Sequence, residues 1–406
     1  MASSRASLHP PRSAEEQALI ERYAHLPADA SRRAAIEAFE KTGLPHRRVE
    51  GWRWSDVRAA VRGLECKTVA EPPDPFHSQA EGSLYFYDDG LPSRGRIAAG
   101  VKIDELAIGA GSGDVAAMPL AALTAALASG PAVTSLDISS DTVEPIRLHF
   151  DSRCDGQFRR VEITLRKGVT ARVLESHVAG AGFSSVLVDY RLEADATLHR
   201  VVYQAGADTA VQAANARVWL GHGARLVQTA LGFGAKLARI ETRVTHGAGA
   251  SEAILNGAYL AGKGRHVDFT SHVGHDMPGC VTRQIVKGAA RAGGRGVFQG
   301  KFLVARDAQK TDANMEHHAL LLEDGAEVNA KPELEIYADD VQCAHGNTAG
   351  AIDEDALFYI RQRGVPEREA RAMLTESFIN EAFGAADPAI ADILTAEARQ
   401  WLLAPQ

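Results

Sequence analysis

The sequence predicts a mainly β protein: a parallel β-helix (solenoid) core with small helical domains at both ends. Three observations carry this. A small-residue turn leading into a strand recurs at Gly168-Val-Thr-Ala171, Asp195-Ala-Thr-Leu198, Gly223-Ala-Arg-Leu226 and Gly249-Ala-Ser-Glu252, at spacings of 27, 28 and 26 residues. Self-similarity at such a period marks stacked repeats, and these repeats are made of strands. Glycine is abundant, at 37 residues, while aromatics make up 6%; a narrow column favours Val, Ile, Leu and Ala inside and small residues at its turns. Helix start and stop signals crowd the two ends of the chain. An antiparallel sandwich with accidental spacing is the alternative.

The elements follow in order. Ser13 before Glu15 and Glu16 suits a helix N-cap with acidic first-turn residues. A second helix is expected over residues 29–41, with Ile36 and Phe39 at helical spacing and Gly43 as the residue past its end. Trp52-Arg-Trp-Ser-Asp56 then leads into another helix start, and the Pro-rich run at 71–75 breaks the chain. Residues 115–133 are Ala-rich and are interrupted by Pro119 and Pro131, so they read as a buried or half-buried helix rather than a membrane span. From about residue 143 short alternating runs such as Val161-Glu-Ile-Thr-Leu165 read as half-buried strands, and Gly325-Ala-Glu-Val328 is a late copy of the repeat. Helix returns after residue 350. Asp353 caps one helix that Gly364 closes, Pro366 opens a second over 367–383, and Pro388 opens a third to about residue 402. Ala370, Leu374, Phe378 and Ala382 recur every four residues, a stripe that must bury against something. The expected divisions are residues 1–75 (helical), 76–142 (mixed), 143–350 (β-helix) and 351–406 (helical).

The chain has 406 residues, 44 Lys and Arg against 52 Asp and Glu, a formal charge of −8 and 45% hydrophobic residues. That is a folded globular composition with no general pull on nucleic acid or anionic membranes. Four cysteines without a C-x-x-C pair exclude a dense disulfide framework and fit a reducing compartment. Residues 1–11 lack a signal peptide's apolar stretch, so a cytoplasmic protein is expected.

Several motifs are decoys. Residues 257–264 nearly match a phosphate-binding loop, but Gly264 stands where a Ser or Thr would hold Mg²⁺, and the segment lies within the strand repeats, so no nucleotide is expected. Gly109-Ala-Gly-Ser-Gly113 reads as a loop. His266, His272 and His275 lie close in sequence to Asp268 and Asp276 and offer imidazole and carboxylate to a metal, although solvated surface histidines explain them as well. His317 and His318 are adjacent and point to opposite faces of a strand. Cys343 and His345, two apart, share a face. Thiolate with imidazole suits zinc or an iron–sulfur species, but two ligands are too few for a closed site. On spacing alone, a buried thiol beside a hydrogen-bonded imidazole is the plainer reading.

The stretches Gln309-Lys-Thr-Asp-Ala313, Leu320-Leu-Leu322, residues 331–348 with Cys343-Ala-His345-Gly346, and Leu357-Phe-Tyr-Ile-Arg-Gln-Arg-Gly364 together resemble the SufB/SufD family of iron–sulfur cluster assembly proteins. Gly43-Leu-Pro45 and Glu50-Gly-Trp-Arg-Trp-Ser-Asp56 extend the likeness toward the N-terminus, and it is weakest across residues 65–150. The pattern is more similar to the SufD branch. Residues 323–332 carry no cysteine where SufB-like chains present one for the nascent cluster. The resemblance implies a right-handed parallel β-helix and a non-catalytic scaffold subunit that pairs with a SufB-like paralogue and a SufC-like ATPase, with a homodimer as a possibility for the isolated chain. It implies that His345, with Cys343 as second participant, helps hold a transient nascent iron–sulfur cluster shared with SufB. It also implies that the C-terminal helices, through Leu357, Phe358, Ala370, Leu374 and Phe378, dock SufC. A β-helix polysaccharide-active enzyme, a histidine-based metal-storing protein and a SufB-type scaffold are the alternatives. The four scattered cysteines favour a site completed by another subunit.

Overall fold

The structure is a computed structural model that describes residues 11–27, 30–64, 74–77, 82–87, 93–94, 99–106, 118–128, 133–153 and 156–405. Most of the breaker at 71–75, the Gly109–Gly113 loop, Cys66 and Cys154 lie outside these residues. The N-terminal helices form where the capping residues put them. Ser13 and Glu16 close a reciprocal capping box on α1 (Ala14–Ala24). After α2 (Ala30–Thr42), Gly43 takes a φ of 66°, the left-handed conformation a helix stop requires. Asp56 caps α3 (Val57–Ala60). The Ala-rich stretch yields α4 (Pro119–Leu127), with Pro119 at its first position and Leu120 through Leu127 buried.

The β part opens with β1 (Gly82–Tyr87), β2 (Ser93–Arg94), β3 (Val101–Leu106) and β4 (Val133–Ile138). It continues through β5 (Ile146–Ser152), β6 (Phe158–Leu165), β7 (Thr170–Ala179), β8 (Gly182–Leu192), β9 (Thr197–Gly206), β10 (Ala210–Leu220), β11 (Arg225–Gly232) and β12 (Leu237–His246). It ends with β13 (Glu252–Ala261), β14 (His266–His275), β15 (Val281–Ala290), β16 (Arg295–Val304), β17 (Asp312–Leu321), β18 (Glu327–Ile336) and β19 (Gln342–Gly350). From β4 onward the even strands build one sheet and the odd strands the other, and from β6 onward each strand pairs in parallel with the one two places before it. The result is a parallel β-solenoid of about eight coils. Only β1–β2 and β3–β4 pair antiparallel among the described strands. The sheets thus run past residue 143 toward the N-terminus, because β1 extends β5 and β4 extends β6. The repeating turns hold left-handed residues: Gly168, Asp195, Gly223, Ala250, Gly279 and Lys310 have φ between 59° and 71°.

Every second residue points inward and stacks on the inward residue of the coil before. Val173, Glu175 and His177 of β7 lie over Ile146, Leu148 and Phe150 of β5. The column is not purely aliphatic, contrary to the expectation from composition. Phe150, Tyr190, Tyr259, Phe298 and Phe302 are buried in it, and so is a polar thread. The Arg200 guanidinium donates to both oxygens of Glu175 at 2.6 and 2.8 Å and to Gln228 at 2.6 Å. Tyr190 also donates to Glu175, and His177 sits 3.1 Å from its second oxygen. Burial alone would raise the Glu175 pKa; the Arg200 charge and these hydrogen bonds override it and hold the carboxyl at about 2.

Helices cover the outer faces. Ile36, Phe39, Trp52, Leu123 and Leu127 pack on Phe158, Phe183, Val211 and Leu237 of the even-numbered sheet. The N-terminal segment is locked there by charge: the Arg239 guanidinium lies 3.9 Å from the Trp52 ring and bridges Glu241 and Asp268, each at 2.9 Å. The C-terminal α5 (Glu354–Arg361), α6 (Glu367–Asn380) and α7 (Pro388–Leu403) turn back along the odd-numbered sheet, where Ile379, Phe383, Leu394 and Leu402 meet Val201, Leu231 and Leu260.

His246, His266, His272, His275 and His317 are pushed from the ordinary 6.5 down to about 3 or 4, burial being the largest cause for each. Their folded values lie below the unfolded one, so the unfolded chain takes up protons first and stability falls as pH drops from about 6.5 toward 4. We expect the urea midpoint to decline between pH 7 and pH 5, before most carboxylates titrate. A flat midpoint over that window would contradict the burial of these rings.

Candidate functional site at the open end of the solenoid

The last coil consists of β18 and β19. Each is the terminal strand of its sheet, and no described element covers either. Register assigns the inward positions. Val328, Ala330, Pro332, Leu334 and Ile336 stand over Gly296, Phe298, Gly300, Phe302 and Val304. Cys343, His345 and Asn347 stand over Ala313, Met315 and His317, all three fully buried. The last coil therefore presents core-type positions to solvent: Ile336 is 40% exposed and His345 is exposed.

Cys343 and His345 share a face, as their spacing requires, at about 7 Å between α-carbons. The thiol is half-buried against the core and free. Burial pushes its pKa up, opposed by a hydrogen bond from the Ala313 backbone, so the protonated thiol is favoured until a metal or a cation draws the proton off. The pair offers a soft and a borderline donor side by side at an edge. Among the described residues no second thiol joins them, since β18 spans residues 327–336 without a cysteine, and Cys280 is buried at a turn beside Met277 and Ser251.

The three β14 histidines do not converge. His266 and His272 lie on the outer face six residues apart, about 20 Å along a strand; His266 meets Ser55 at 3.1 Å. His275 points inward and stacks on His246 with ring centroids 4.7 Å apart. Among the described residues no group of three or more His, Cys, Asp or Glu is placed to hold a metal ion. The near-match to a phosphate loop is split between β13 and the turn after it, with Gly264 at a φ of 70°. His317 and His318 do face opposite ways: His317 is in the column, and His318 meets Thr348 outside at 2.8 Å.

On the C-terminal helices, Leu357 and Ala370 are buried, Leu374 and Phe378 half-buried, and Phe358 exposed at 64%. Of the stripe, Phe378 and Ala382 are covered by the chain's own sheet, and Phe378 lies under Lys287 at 4.5 Å. The large apolar side chains these helices leave most exposed are Phe358, Tyr359 and Met373.

The SufBD core domain of the SUF iron–sulfur cluster assembly system matches residues 148–378, more than half of the chain. The chain belongs to the SufB/SufD family. It is 40% identical over 127 residues to the iron–sulfur cluster assembly protein SufD of Escherichia coli (strain K12), a match covering 31% of this chain and 30% of that one. It is 25% identical over 409 residues to an iron–sulfur cluster assembly SufBD family protein of Mycobacterium tuberculosis, covering 95% of this chain and 94% of the relative. A family protein of Synechocystis is 30% identical over 200 residues, covering 49% and 44%. The family match takes in β17, β18 and β19, the three strands that build the open end. No helix among the described residues is long and apolar enough to cross a membrane.

Sequence spacing located Cys343 and His345 but missed the support beneath them. Tyr259 is buried with its hydroxyl 2.9 Å from His317 Nε2, and His317 Nδ1 lies 2.6 Å from Asn347 Oδ1. Two glycines seat Tyr259: a Cβ on Gly288 or Gly296 would come within 2.1 or 2.2 Å of its ring. Only the register shows them to be sockets. We expect Gly288→Ala to cost about 1–3 kcal/mol by overpacking, read as a lower urea midpoint. Unchanged stability would mean that Tyr259 is not held there.

Proposed function

We propose that this chain is a scaffold subunit of the Suf system, pairing through its open end with a SufB-type paralogue and sharing a nascent iron–sulfur cluster with it at that junction. The carrying observation is that Cys343 and His345 occupy inward positions on a coil that none of the described elements covers. A shared cluster is the substrate this arrangement fits, because one thiol and one imidazole leave the remaining ligands to a second chain. The half-buried apolar row of β18, with Ile336 exposed at its end, and two unpaired strand edges supply a surface for a second solenoid to continue. The absence of a cysteine across β18 favours this shared site over a self-sufficient SufB-type scaffold. A SufC-type ATPase is the partner proposed for Phe358, Tyr359 and Met373, large apolar side chains left bare on helices that are otherwise anchored to the solenoid.

The test is co-expression with a SufB-type chain and a SufC-type ATPase. Leu334→Asp with Ile336→Asp is expected to weaken paralogue pairing at least ten-fold by size-exclusion chromatography, while the circular dichroism of the isolated chain is kept. Pairing unaffected by these charges would remove the open end as the interface. His345→Ala is expected to leave the complex intact and lower its iron and sulfide content several-fold; a normal cluster yield would overturn the site. Phe358→Asp is expected to release the ATPase without separating the two solenoid chains, and a retained ATPase would move its dock elsewhere.

A further inference from the structure

Below the terminal row runs a hydrogen-bonded chain of buried groups that plain packing does not require. Tyr259 belongs to β13 and His317 to β17, two coils farther on. In the coil between them, the position paired with Tyr259 is Gly288. The missing side chain leaves a passage through which the tyrosine reaches the imidazole at 2.9 Å. The ring of His317 lies flat on Phe298, with centroids 4.7 Å apart and planes 2° from parallel. Its other nitrogen meets Asn347 on β19 at 2.6 Å. The chain spans three coil steps, roughly 14 Å at the ordinary strand spacing, and ends at the solvent edge.

The hydrogen bonds have a direction. A neutral imidazole carries one N–H and one lone pair. Asn347 Oδ1 can only accept, so the proton of His317 sits on Nδ1 and donates to it, and the Tyr259 hydroxyl donates to the lone pair of Nε2. The amide oxygen thus faces down into the column, and among the described residues its NH₂ group has no partner at the open end. Asn347 is two residues past His345 in the same inward row, as His345 is past Cys343. The row therefore reads thiol, imidazole, amide donor.

We propose that Asn347 is the third ligand-facing residue of the terminal row, donating a hydrogen bond to an anionic sulfur held there, and that Tyr259 and His317 are positioning residues that fix its orientation. The ligand class is sulfide or thiolate sulfur bound to iron. Such sulfur accepts N–H hydrogen bonds, and these stabilise its charge. The proposal rests on the reading of this end as a shared cluster site, but the tautomer beneath it stands independently of any cluster.

Two measurements test it. The first uses the full-length chain alone, with ¹⁵N-labelled histidine and His317→Gln to assign the signal. Long-range ¹H–¹⁵N correlation is expected to show the Nδ1–H tautomer at His317, and to show it lost or mixed in Tyr259→Phe. An Nε2–H tautomer in the wild type would overturn the proposed orientation, whatever the cluster does. The second uses the complex with the SufB-type and SufC-type partners, loaded with ferrous iron and sulfide, and follows iron release to a chelator. Loss of one hydrogen bond to a charged acceptor predicts roughly ten-fold faster release in Asn347→Ala. Asn347→Asp, which keeps the shape and replaces the donor by a negative charge, should be faster still. Tyr259→Phe should lie between wild type and Asn347→Ala. A release rate unchanged in Asn347→Ala, where His345→Ala lowers cluster content, would overturn this proposal and leave the shared site standing. A wild-type complex that takes up no cluster would overturn both.

Discussion

The parallel ladder governs this molecule. Each coil pairs residue for residue with the coil before it, so an inward position stays inward for the length of the column. The ladder leaves little freedom of choice at any one site. A charged residue that enters the row must find its partners inside it, because no water competes at that depth. Glu175 shows how this is met, with Arg200 on both of its oxygens and Tyr190 and His177 at its sides. Arg200 in turn passes its remaining donor to Gln228, one coil farther on. The polar thread is thus built by the same stacking that builds the apolar core. It is a consequence of register rather than an interruption of it.

The same rule explains what the sequence disclosed. Coil length was readable because each coil ends in a turn that needs a left-handed or small residue. Gly168, Asp195 and Gly223, the residues that set the period, all carry positive φ. In the fourth copy the strain falls one place later, on Ala250 rather than Gly249. The caps at Ser13, Asp56, Asp353 and Asp387 were likewise local signals with local consequences. The contents of the column were not readable. An alternating strand places Val and Arg inward by the same pattern, and Arg200 was indistinguishable from a surface arginine until its neighbours one coil away were known. Gly288 and Gly296 carried no signal for a related reason. They lie near a glycine-rich turn, yet both are on strands, and both exist to admit the ring of Tyr259.

The functional end divides along the same line. Cys343 and His345 are two residues apart, and period two put them on one face from sequence alone. Asn347 and His317 are thirty residues apart, and their contact is made by the pairing of β19 with β17. The C-terminal stripe was legible as something to be buried, but not its partner. Phe378 and Ala382 of that stripe, with Ile379 beside them, found the odd-numbered sheet of their own chain. The surface left bare is the neighbouring face with Phe358, Tyr359 and Met373, whose spacing carries no stripe.

An open solenoid end is also a physical problem. Two unpaired strand edges beside a row of apolar side chains invite indiscriminate pairing. Three features restrain it here. The outward positions of β18 are charged, with Glu333 and Glu335 alternating along the strand and Lys331 tied to Glu50 at 2.8 Å. Pro332, in the middle of the strand, has no N–H to offer to another edge. The inward row of β19 is polar, with His345 and Asn347 where the coils below place Met315 and His317. A second chain that covers this end must therefore leave a polar space over β19 while packing over β18. A hydrophobic plug cannot meet both demands, because it would bury the imidazole and the amide without partners. A partner that brings its own ligands to a shared anionic sulfur cargo satisfies both strands at once. The polarity of the last inward row, more than its exposure, is what distinguishes this end from an ordinary docking edge.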